Sequence, residues 1–410
     1  MYPEVKMPER SKNLQVSVAG RIEPQINKYY LKVSRRYLVV GVVFMLILLL
    51  YIGCVTAFLG DYVTYDNLKY LARDFNAMSL TSNADFSKIV YNGSDDMALA
   101  YFRGGLALCD NDSYMYYDTG GNPLVEEKLS YGMPVLAVSD KYLMVYDVGG
   151  KEYSVYNQLT EIISRETIGD IVAGDVADDG SFIIASRSRE TRYVVELYNP
   201  GFSKVMSIYK ENYVLDAAVS PDGKLIVICS AVPSDTDFNC EIEICKRGQS
   251  EPVSITTYEQ TMPLDVYTME NGFVLLCDNG IYFFNYAGEI MDGMSFSGMR
   301  LKYADISDTT TAVVCSANAL GSENRVVVFD SASGVPIYDE TINYRVTGVY
   351  ASVNVKNATA YFTTPESVMR INPDGGFDAH TSDKEVLAVI PTAKGALVCG
   401  ENAAYPIFDE

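Results

Sequence analysis

The chain has 410 residues, 48% of them apolar, and its 53 acidic and 32 basic side chains give a formal net charge of −21. A chain this acidic repels nucleic acids and anionic lipid head groups, because those partners require clustered Lys and Arg. The balance excludes nucleic-acid binding by the acidic part of the chain. With a single histidine, the chain cannot form a multi-histidine zinc site.

Residues 1–36 are predicted to be a basic cytoplasmic tail. They contain eight Lys or Arg and three Glu, a net charge of +5, so the remainder of the chain carries −26. Loops rich in Lys and Arg stay on the cytoplasmic side of a membrane span. The asymmetry predicts a cytoplasmic N-terminus and an extracytoplasmic acidic domain.

Residues 37–59 are predicted to form one helix across the plasma membrane, which makes the lipid bilayer a partner of the chain. None of them is charged, and their helix would be roughly 34 Å long, against about 30 Å for the hydrocarbon core. A cleaved signal peptide fits poorly, because its apolar region is only about 7–15 residues long. A lipoprotein cleavage site before Cys54 is a further alternative, but Tyr51 is bulky for it and the apolar run continues to Leu59.

Residues 60–84 are predicted to be a stalk, and residues 85–410 a domain of repeats. Short apolar strands recur there at steps of about 41 residues, separated by Gly, Asn, Asp and Pro. The leading strand of each repeat is predicted to begin near Met97, Val135, Ile171, Val214, Leu264, Leu301, Val346 and Val386. A repeat of this length with four strands is typical of a β-propeller.

Two further elements recur along the repeats, although Asn157 and Asp409 lack the Gly of the second one. A second strand is a continuous apolar run that ends in a small residue, as in residues 225–229 and 274–277. A third strand ends in Asp or Asn shortly before a Gly, as in Asp118 with Gly121 and Asn285 with Gly288. Continuous apolar runs suit strands covered on both faces, and Asp, Asn and Gly suit hairpin turns.

The last repeat ends after its third strand, so its fourth strand must come from elsewhere. An open sheet edge is a pairing liability, and residues 85–91 are predicted to fill it. The predicted fold is therefore an all-β propeller, with eight blades favoured and seven as the alternative, preceded by a single transmembrane α-helix.

Two segments resemble known propeller repeats. The Ser-Pro-Asp-Gly-Lys turn at residues 220–224 and its following strand resemble WD-repeat and YVTN-type propellers, and residues 326–334 resemble quinoprotein-like repeats. The layout also resembles an uncharacterised family of membrane-anchored propellers in Gram-positive bacteria, a resemblance that implies no catalytic residues. Quinoprotein blades usually dock through Trp, which this chain lacks, so no cofactor is expected.

Five cysteines share one place at the end of the second strand. They are predicted to be buried small apolar side chains rather than disulfides or metal ligands, with a Cys229–Cys240 pair across one hairpin as the alternative. The five are Cys109, Cys229, Cys277, Cys315 and Cys399.

Two acidic segments are candidate calcium sites. Asp235, Asp237 and Asn239 place three oxygen donors at alternate positions, as calcium-binding loops do. Asp175, Asp178 and Asp179 form a second group beside a predicted hairpin. An ordinary turn is the alternative for both segments. His380 is interpreted as a solvated loop residue, because no nucleophile turn accompanies it.

These features predict a single-pass membrane protein whose outer propeller is a non-catalytic binding or scaffolding module of the cell envelope, and not an enzyme. The expected partner is an envelope protein, a peptide or a glycan. A hydrolase or lactonase with metal-binding carboxylates in the central channel is one alternative. A surface sensor that signals through a partner is another.

Overall fold

The computed structural model describes residues 30, 32–51, 53, 86–94, 97–235, 237–249, 251–316, 323–382 and 385–408. The chain divides into two compact units, Met1–Thr64 and Tyr65–Glu410. The first contains helix α1 (Lys32–Tyr51), which has a mean hydropathy of 2.1 and no side chain buried in protein. Its length and composition suit a membrane anchor, and a signal sequence would share them.

The helix begins five residues before the predicted span, so it includes the basic flank at Lys32, Arg35 and Arg36. Leu, Ile, Val and Phe fill its centre, which is what insertion into a hydrocarbon core requires. The predicted end of the span at Leu59 and the predicted stalk, residues 60–84, lie outside the described residues.

The second unit is built of eight four-stranded antiparallel sheets, each running from a first to a fourth strand. The strands before and within blades 1–4 are β1 (Ile89–Val90); β2 (Ala98–Phe102), β3 (Gly105–Cys109), β4 (Ser113–Tyr117), β5 (Pro123–Lys128); β6 (Pro134–Val138), β7 (Leu143–Asp147), β8 (Glu152–Tyr156), β9 (Glu161–Glu166); β10 (Ile171–Val176), β11 (Phe182–Arg187), β12 (Tyr193–Tyr198), β13 (Lys204–Lys210); β14 (Tyr213–Val219), β15 (Leu225–Pro233), β16 (Phe238–Lys246), β17 (Pro252–Tyr258).

The strands of blades 5–8 are β18 (Pro263–Met269), β19 (Gly272–Cys277), β20 (Gly280–Asn285), β21 (Ile290–Ser295); β22 (Arg300–Ile306), β23 (Thr310–Ser316), β24 (Asn324–Asp330), β25 (Pro336–Ile342); β26 (Gly348–Ala351), β27 (Ala360–Thr363), β28 (Ser367–Ile371), β29 (Phe377–Thr381); β30 (Ala388–Pro391), β31 (Ala396–Cys399), β32 (Ala403–Ile407). The predicted eight-blade propeller is confirmed, and each leading strand begins within two residues of its predicted start.

The second strand of each blade lies in the core. Strands β3, β19, β23, β27 and β31 are buried along their whole length, because neighbouring blades cover both of their faces. The outer fourth strands alternate instead, as in β17, where every second side chain is exposed. This is why the second strands are continuous apolar runs in the sequence.

The turns between third and fourth strands follow the predicted Asp or Asn pattern. The side chains of Asp118 and Asn285 accept backbone N–H groups four residues on, at 2.8 and 3.0 Å. Gly121 and Gly288 have positive φ angles of 79° and 83°, which favour glycine. One turn departs from the pattern: after Asn199 the positive φ falls on Phe202, at 61°, and not on the glycine before it.

The ring closes as the sequence predicts. Strand β1 pairs with β32 and supplies the fourth strand of blade 8, with Ile89 opposite Ala404 and Val90 opposite Ala403. The Tyr91 hydroxyl donates a further hydrogen bond to the Gly400 carbonyl at 2.8 Å. The ends of the repeat domain are therefore joined by hydrogen bonds rather than left as open edges.

First strands form the innermost layer, where β10, β14 and β18 contact one another in succession. Blades 3, 4, 5 and 6 share a β-bulge in this strand, at which the register with the second strand jumps by one residue. A bulge adds a residue, twists the strand and re-aims the side chains beside it. The extra residues, which hold equivalent places around the ring, are Val172, Leu215, Leu264 and Lys302.

Candidate functional site: an acidic channel

An aspartate lies within the first strand of each of the four bulged blades. Asp216 and Asp265 directly follow the bulge, whereas Asp175 and Asp305 lie two residues further along their strands. A charged side chain in an apolar strand is costly unless hydrogen bonds compensate for lost hydration. The ring thus brings together, from four blades, carboxyl groups that are separated by about 40 residues in the chain.

Three of these carboxyl groups connect one blade to the next. Asp175 accepts the N–H of Val219 in blade 4 at 2.8 Å, and Asp216 accepts the N–H of Val266 in blade 5 at 2.8 Å. Asp305 accepts the N–H of Ala351 in blade 7 at 2.7 Å. We call these three contacts the carboxylate clasps. Each contributes an inter-blade hydrogen bond that apolar packing alone would not provide.

In two of the clasps, the second oxygen of the carboxyl group also accepts a hydrogen bond. The N–H of Val176 donates to Asp175, and the N–H of Ala217 donates to Asp216, both at 2.8 Å. Each carboxyl group therefore bridges its own strand and the adjacent blade. These hydrogen bonds fix the orientation of the two carboxyl groups.

Asp216 and Asp265 form a carboxyl pair between blades 4 and 5. Their side chains hydrogen-bond to each other, and burial raises the pKa of both groups. Since two carboxylates cannot donate to one another, this hydrogen bond requires a proton on one of the two groups. Water nevertheless reaches the Asp265 side chain, which is exposed. Protein on all sides with access for water is the environment expected inside a channel.

The other two aspartates share this raised affinity for protons. Burial raises the pKa of Asp175 to about 7 and that of Asp305 to about 6, against the opposing effect of their N–H donors. The negative charge of Asp265 raises both further. Burial also raises the pKa of the Tyr146 phenol, and the charge of Asp216 adds to the effect.

The turns after the first strands carry a second acidic group. The Asp140 N–H donates to Asp178 at 2.7 Å, and the Tyr267 hydroxyl donates to Asp308 at 3.2 Å. Burial raises the pKa of Asp308, and the charges of Asp140 and Asp178 raise it further. Blades 2, 3 and 6 thus present acidic turns on the face of the ring at which the first strands end.

The predicted calcium residues lie at the turn between β15 and β16. The Asp237 carboxylate accepts the Phe238 N–H at 2.9 Å, and the Asn239 side-chain oxygen accepts the Gln260 N–H at 3.1 Å. Asp235 lies in the same turn. Calcium binding by Asp235, Asp237 and Asn239 stays a prediction. Across the described ranges, no three His, Cys, Asp or Glu residues are grouped so as to hold a metal ion.

The second predicted acidic group is divided among different roles. Asp175 lies in a clasp, Asp178 accepts the Asp140 N–H, and Asp179 accepts the Ser181 N–H at 2.7 Å. Arg247 lies 3.9 Å from Asp179. Only Asp178 and Asp179 belong to the hairpin turn between β10 and β11, because Asp175 lies within β10.

The cysteines behave as predicted for buried apolar side chains. All five residues of the shared slot lie on second strands with no exposed surface, and the seven cysteines within the described residues are free thiols. Cys229 is opposite Ile242 and Cys240 is opposite Ala231. The two thiols are therefore diagonal neighbours and do not face each other.

The interpretation of His380 as a solvated loop residue is wrong. It lies on β29, the outer strand of blade 7, and its ring centroid is 6.2 Å from those of Tyr405 and Phe408 in blade 8. The apolar faces of these rings explain its position. His380 is an inter-blade packing residue.

Sequence reasoning missed the clasps, although a signal for them exists. In four successive repeats the leading apolar strand contains one aspartate, at positions 175, 216, 265 and 305. A charge in the leading apolar strand of four successive repeats indicates a shared role in the ring.

Comparison with known proteins gives one family and several similar folds. The profile of a family of unknown function, DUF5711, matches residues 73–404. No curated protein matches the sequence. Hydrazine synthase from Kuenenia stuttgartiensis is similar with 11% identity and a TM-score of 0.45, over 74% of this chain and 98% of that one. A eukaryotic initiation factor has 12% identity and a TM-score of 0.49, over 78% and 82%. BBS1N in complex with ARL6DN has 13% identity and a TM-score of 0.43, over 74% and 98%.

Proposed function

The chain belongs to this family of unknown function, and from its own geometry we propose that it is a single-pass membrane protein whose outer propeller is a non-catalytic binding module of the cell envelope. The observation that carries the proposal is the combination of an unburied apolar helix with a closed acidic ring on the same chain. No part of the apolar window of helix α1 is buried inside protein, so a bilayer is the environment that would cover it.

The charge distribution supports an extracytoplasmic propeller. The basic residues Lys28, Lys32, Arg35 and Arg36 precede the uncharged segment of residues 37–59, and the domain that follows it is strongly acidic. Cations close to a span determine its orientation, and those further away have less influence. The tail would remain in the cytoplasm, and the propeller would face outward.

Orientation is tested by protease treatment of intact cells that express the full chain with a different tag at each end. We expect the C-terminal tag to be lost and the tail to remain protected. Neutral replacement of Lys28, Lys32, Arg35 and Arg36 should give a mixed or inverted orientation. The control replaces Lys6, Arg10 and Lys12, which lie further from the helix. A propeller that stays intact in cells and lies in the cytosol contradicts the proposal.

A binding role is supported by how the polar groups of the ring are used. The carboxyl groups of three inner strands are engaged with backbone N–H groups of neighbouring blades, as a rigid scaffold requires. The metal-dependent hydrolase has less support, since no three-ligand group occurs among the described residues. Crosslinking of the full chain in its own membrane tests the role, and recovery of no partner would count against it.

A further inference from the structure

The face on which the first strands begin exposes apolar side chains beside acidic ones. Leu215 and Leu264, the extra residues of two successive bulges, are 38% and 49% exposed. Tyr303 of blade 6 is exposed directly after the next bulge. We call Leu215, Leu264, Asp265 and Tyr303 the mouth patch.

The members of the mouth patch are neighbours around the ring. Strands β14 and β18 contact each other, and the residues that follow the two leucines, Asp216 and Asp265, are hydrogen-bonded. The leucines therefore flank the carboxyl pair on adjacent blades. More exposed apolar side chains lie on the loops that lead into the first strands of blades 2, 3 and 7, namely Met133, Ile168 and Tyr344.

Exposed leucines on inner strands require a physical reason. Elsewhere these strands bury their apolar residues, as Val214 and Val266 show. An apolar patch beside the opening of a channel is a recognised mark of a binding surface. A bulge is also a common device for turning a side chain toward such a site.

The charge around the mouth patch selects the partner. Among the described residues, the loops of this face, which join first strands to the preceding blade and second strands to third, contain thirteen acidic and four basic residues; those of the opposite face contain ten and six. Lys302, the cation at the neighbouring bulge, donates to Asn324 at 2.7 Å. Both residues belong to blade 6, so this hydrogen bond lies within one blade.

We propose that the mouth patch binds a basic peptide segment of a partner protein, with an apolar side chain against Leu215 and Leu264 and an adjacent Lys or Arg at Asp265. This inference rests on the proposed binding function and names the chemistry of its partner. The apolar contact supplies burial, and the opposite charge supplies orientation and fast association. Strand β1 begins and strand β32 ends on the opposite face of the ring.

The test uses the full chain in nanodiscs of zwitterionic lipid, with empty nanodiscs as the blank. The probe is a fluorescent, blocked eight-residue peptide of alternating Leu and Lys, measured by anisotropy at physiological salt. We expect saturable binding that weakens at least tenfold in the double variant Leu215→Ser with Leu264→Ser. Asp265→Asn should weaken binding by a similar factor.

Matched controls lie outside the mouth patch. Val253→Ser with Ile255→Ser removes two apolar side chains, 59% and 58% exposed, from the outer strand β17, and Asp374→Asn removes an exposed carboxylate from a turn on the opposite face. Both should bind like the original protein, and the melting temperatures of the leucine variant and of the two controls should match it, since their side chains are exposed.

Three results would overturn the inference. One is equal weakening in the outer-strand controls, which would mean general attraction to an acidic protein. Another is equal binding of a Ser-Lys peptide or of spermine, which would mean a cation site without an apolar part. The third is no saturable binding at all. The protease and crosslinking experiments test the proposed function separately, and a recovered partner that maps elsewhere would contradict only the mouth patch.

Discussion

Raising the pH from 5 to 8 should destabilise the propeller. Asp175 and Asp305 have pKa values of about 7 and about 6 in the folded chain, above the value of 3.8 expected when unfolded. A group whose pKa is raised by folding stabilises the fold at low pH, and that contribution is lost as the pH rises through the folded pKa. The window lies between about pH 4 and pH 7.

The size of the effect follows from these values. A pH of 5 lies about two units below the folded pKa of Asp175, so its protonation stabilises the fold there by about 3 kcal/mol relative to pH 8. The same pH lies about one unit below the folded pKa of Asp305, which corresponds to about 1 kcal/mol. The raised pKa values of Asp216 and Asp265 act in the same direction. The free energy of unfolding should therefore fall by about 4 kcal/mol between pH 5 and pH 8.

Urea denaturation of the full chain in mild detergent measures the free energy of unfolding at each pH. Tyrosine fluorescence is the signal, because the chain has 32 Tyr and no Trp. Asp175→Asn removes the titration of this side chain, so the fall in unfolding free energy between pH 5 and pH 8 should become smaller by about 3 kcal/mol. Asp339→Asn is the control. Arg325 lowers the pKa of Asp339, so this change should leave the slope intact. Stability that is flat or rising from pH 5 to 8 would refute the reasoning.

Two other predictions concern ring closure and the thiols. Ile89→Ala in the closing strand should cost about 2–5 kcal/mol of unfolding free energy, because the side chain is fully buried. Its neighbour Val90 is 65% exposed, and Val90→Ala should cost less than about 1 kcal/mol in the same denaturation experiment; equal effects would argue against closure by β1. The seven described cysteines should resist a maleimide reagent until the chain unfolds, since they are buried and burial raises the pKa of Cys109 to about 12 and of Cys315 to about 11. An added Ile168→Cys should react at once, and rapid native labelling of the original thiols would contradict their burial.

Blade number and strand positions were predictable because their signals are local. A second strand covered on both faces has to be a continuous apolar run, and a turn that ends in Asp118 or Asn285 uses its own side chain to bind backbone N–H groups four residues on. Such signals recur once per blade and can be counted. The closing strand was predictable by elimination, since the last blade lacked a fourth strand.

The channel was not predictable, because its parts are distant in the sequence. Asp216 and Asp265 meet only after two bulges shift the register of their strands and the ring places blade 4 beside blade 5. No local pattern shows which side of a strand faces a channel. His380 was misplaced for the same reason, since its partners Tyr405 and Phe408 belong to the next blade.

Stability and recognition use the same carboxyl groups in opposite ways. The Asp216–Asp265 pair stabilises the ring while it holds a proton between the two side chains. A Lys or Arg side chain placed at Asp265 favours the ionised form, so that binding would release that proton and replace its charge. The free ring is therefore least stable at the pH at which a basic segment binds best. By linkage, such a partner would recover much of the stability that the ring loses toward neutral pH.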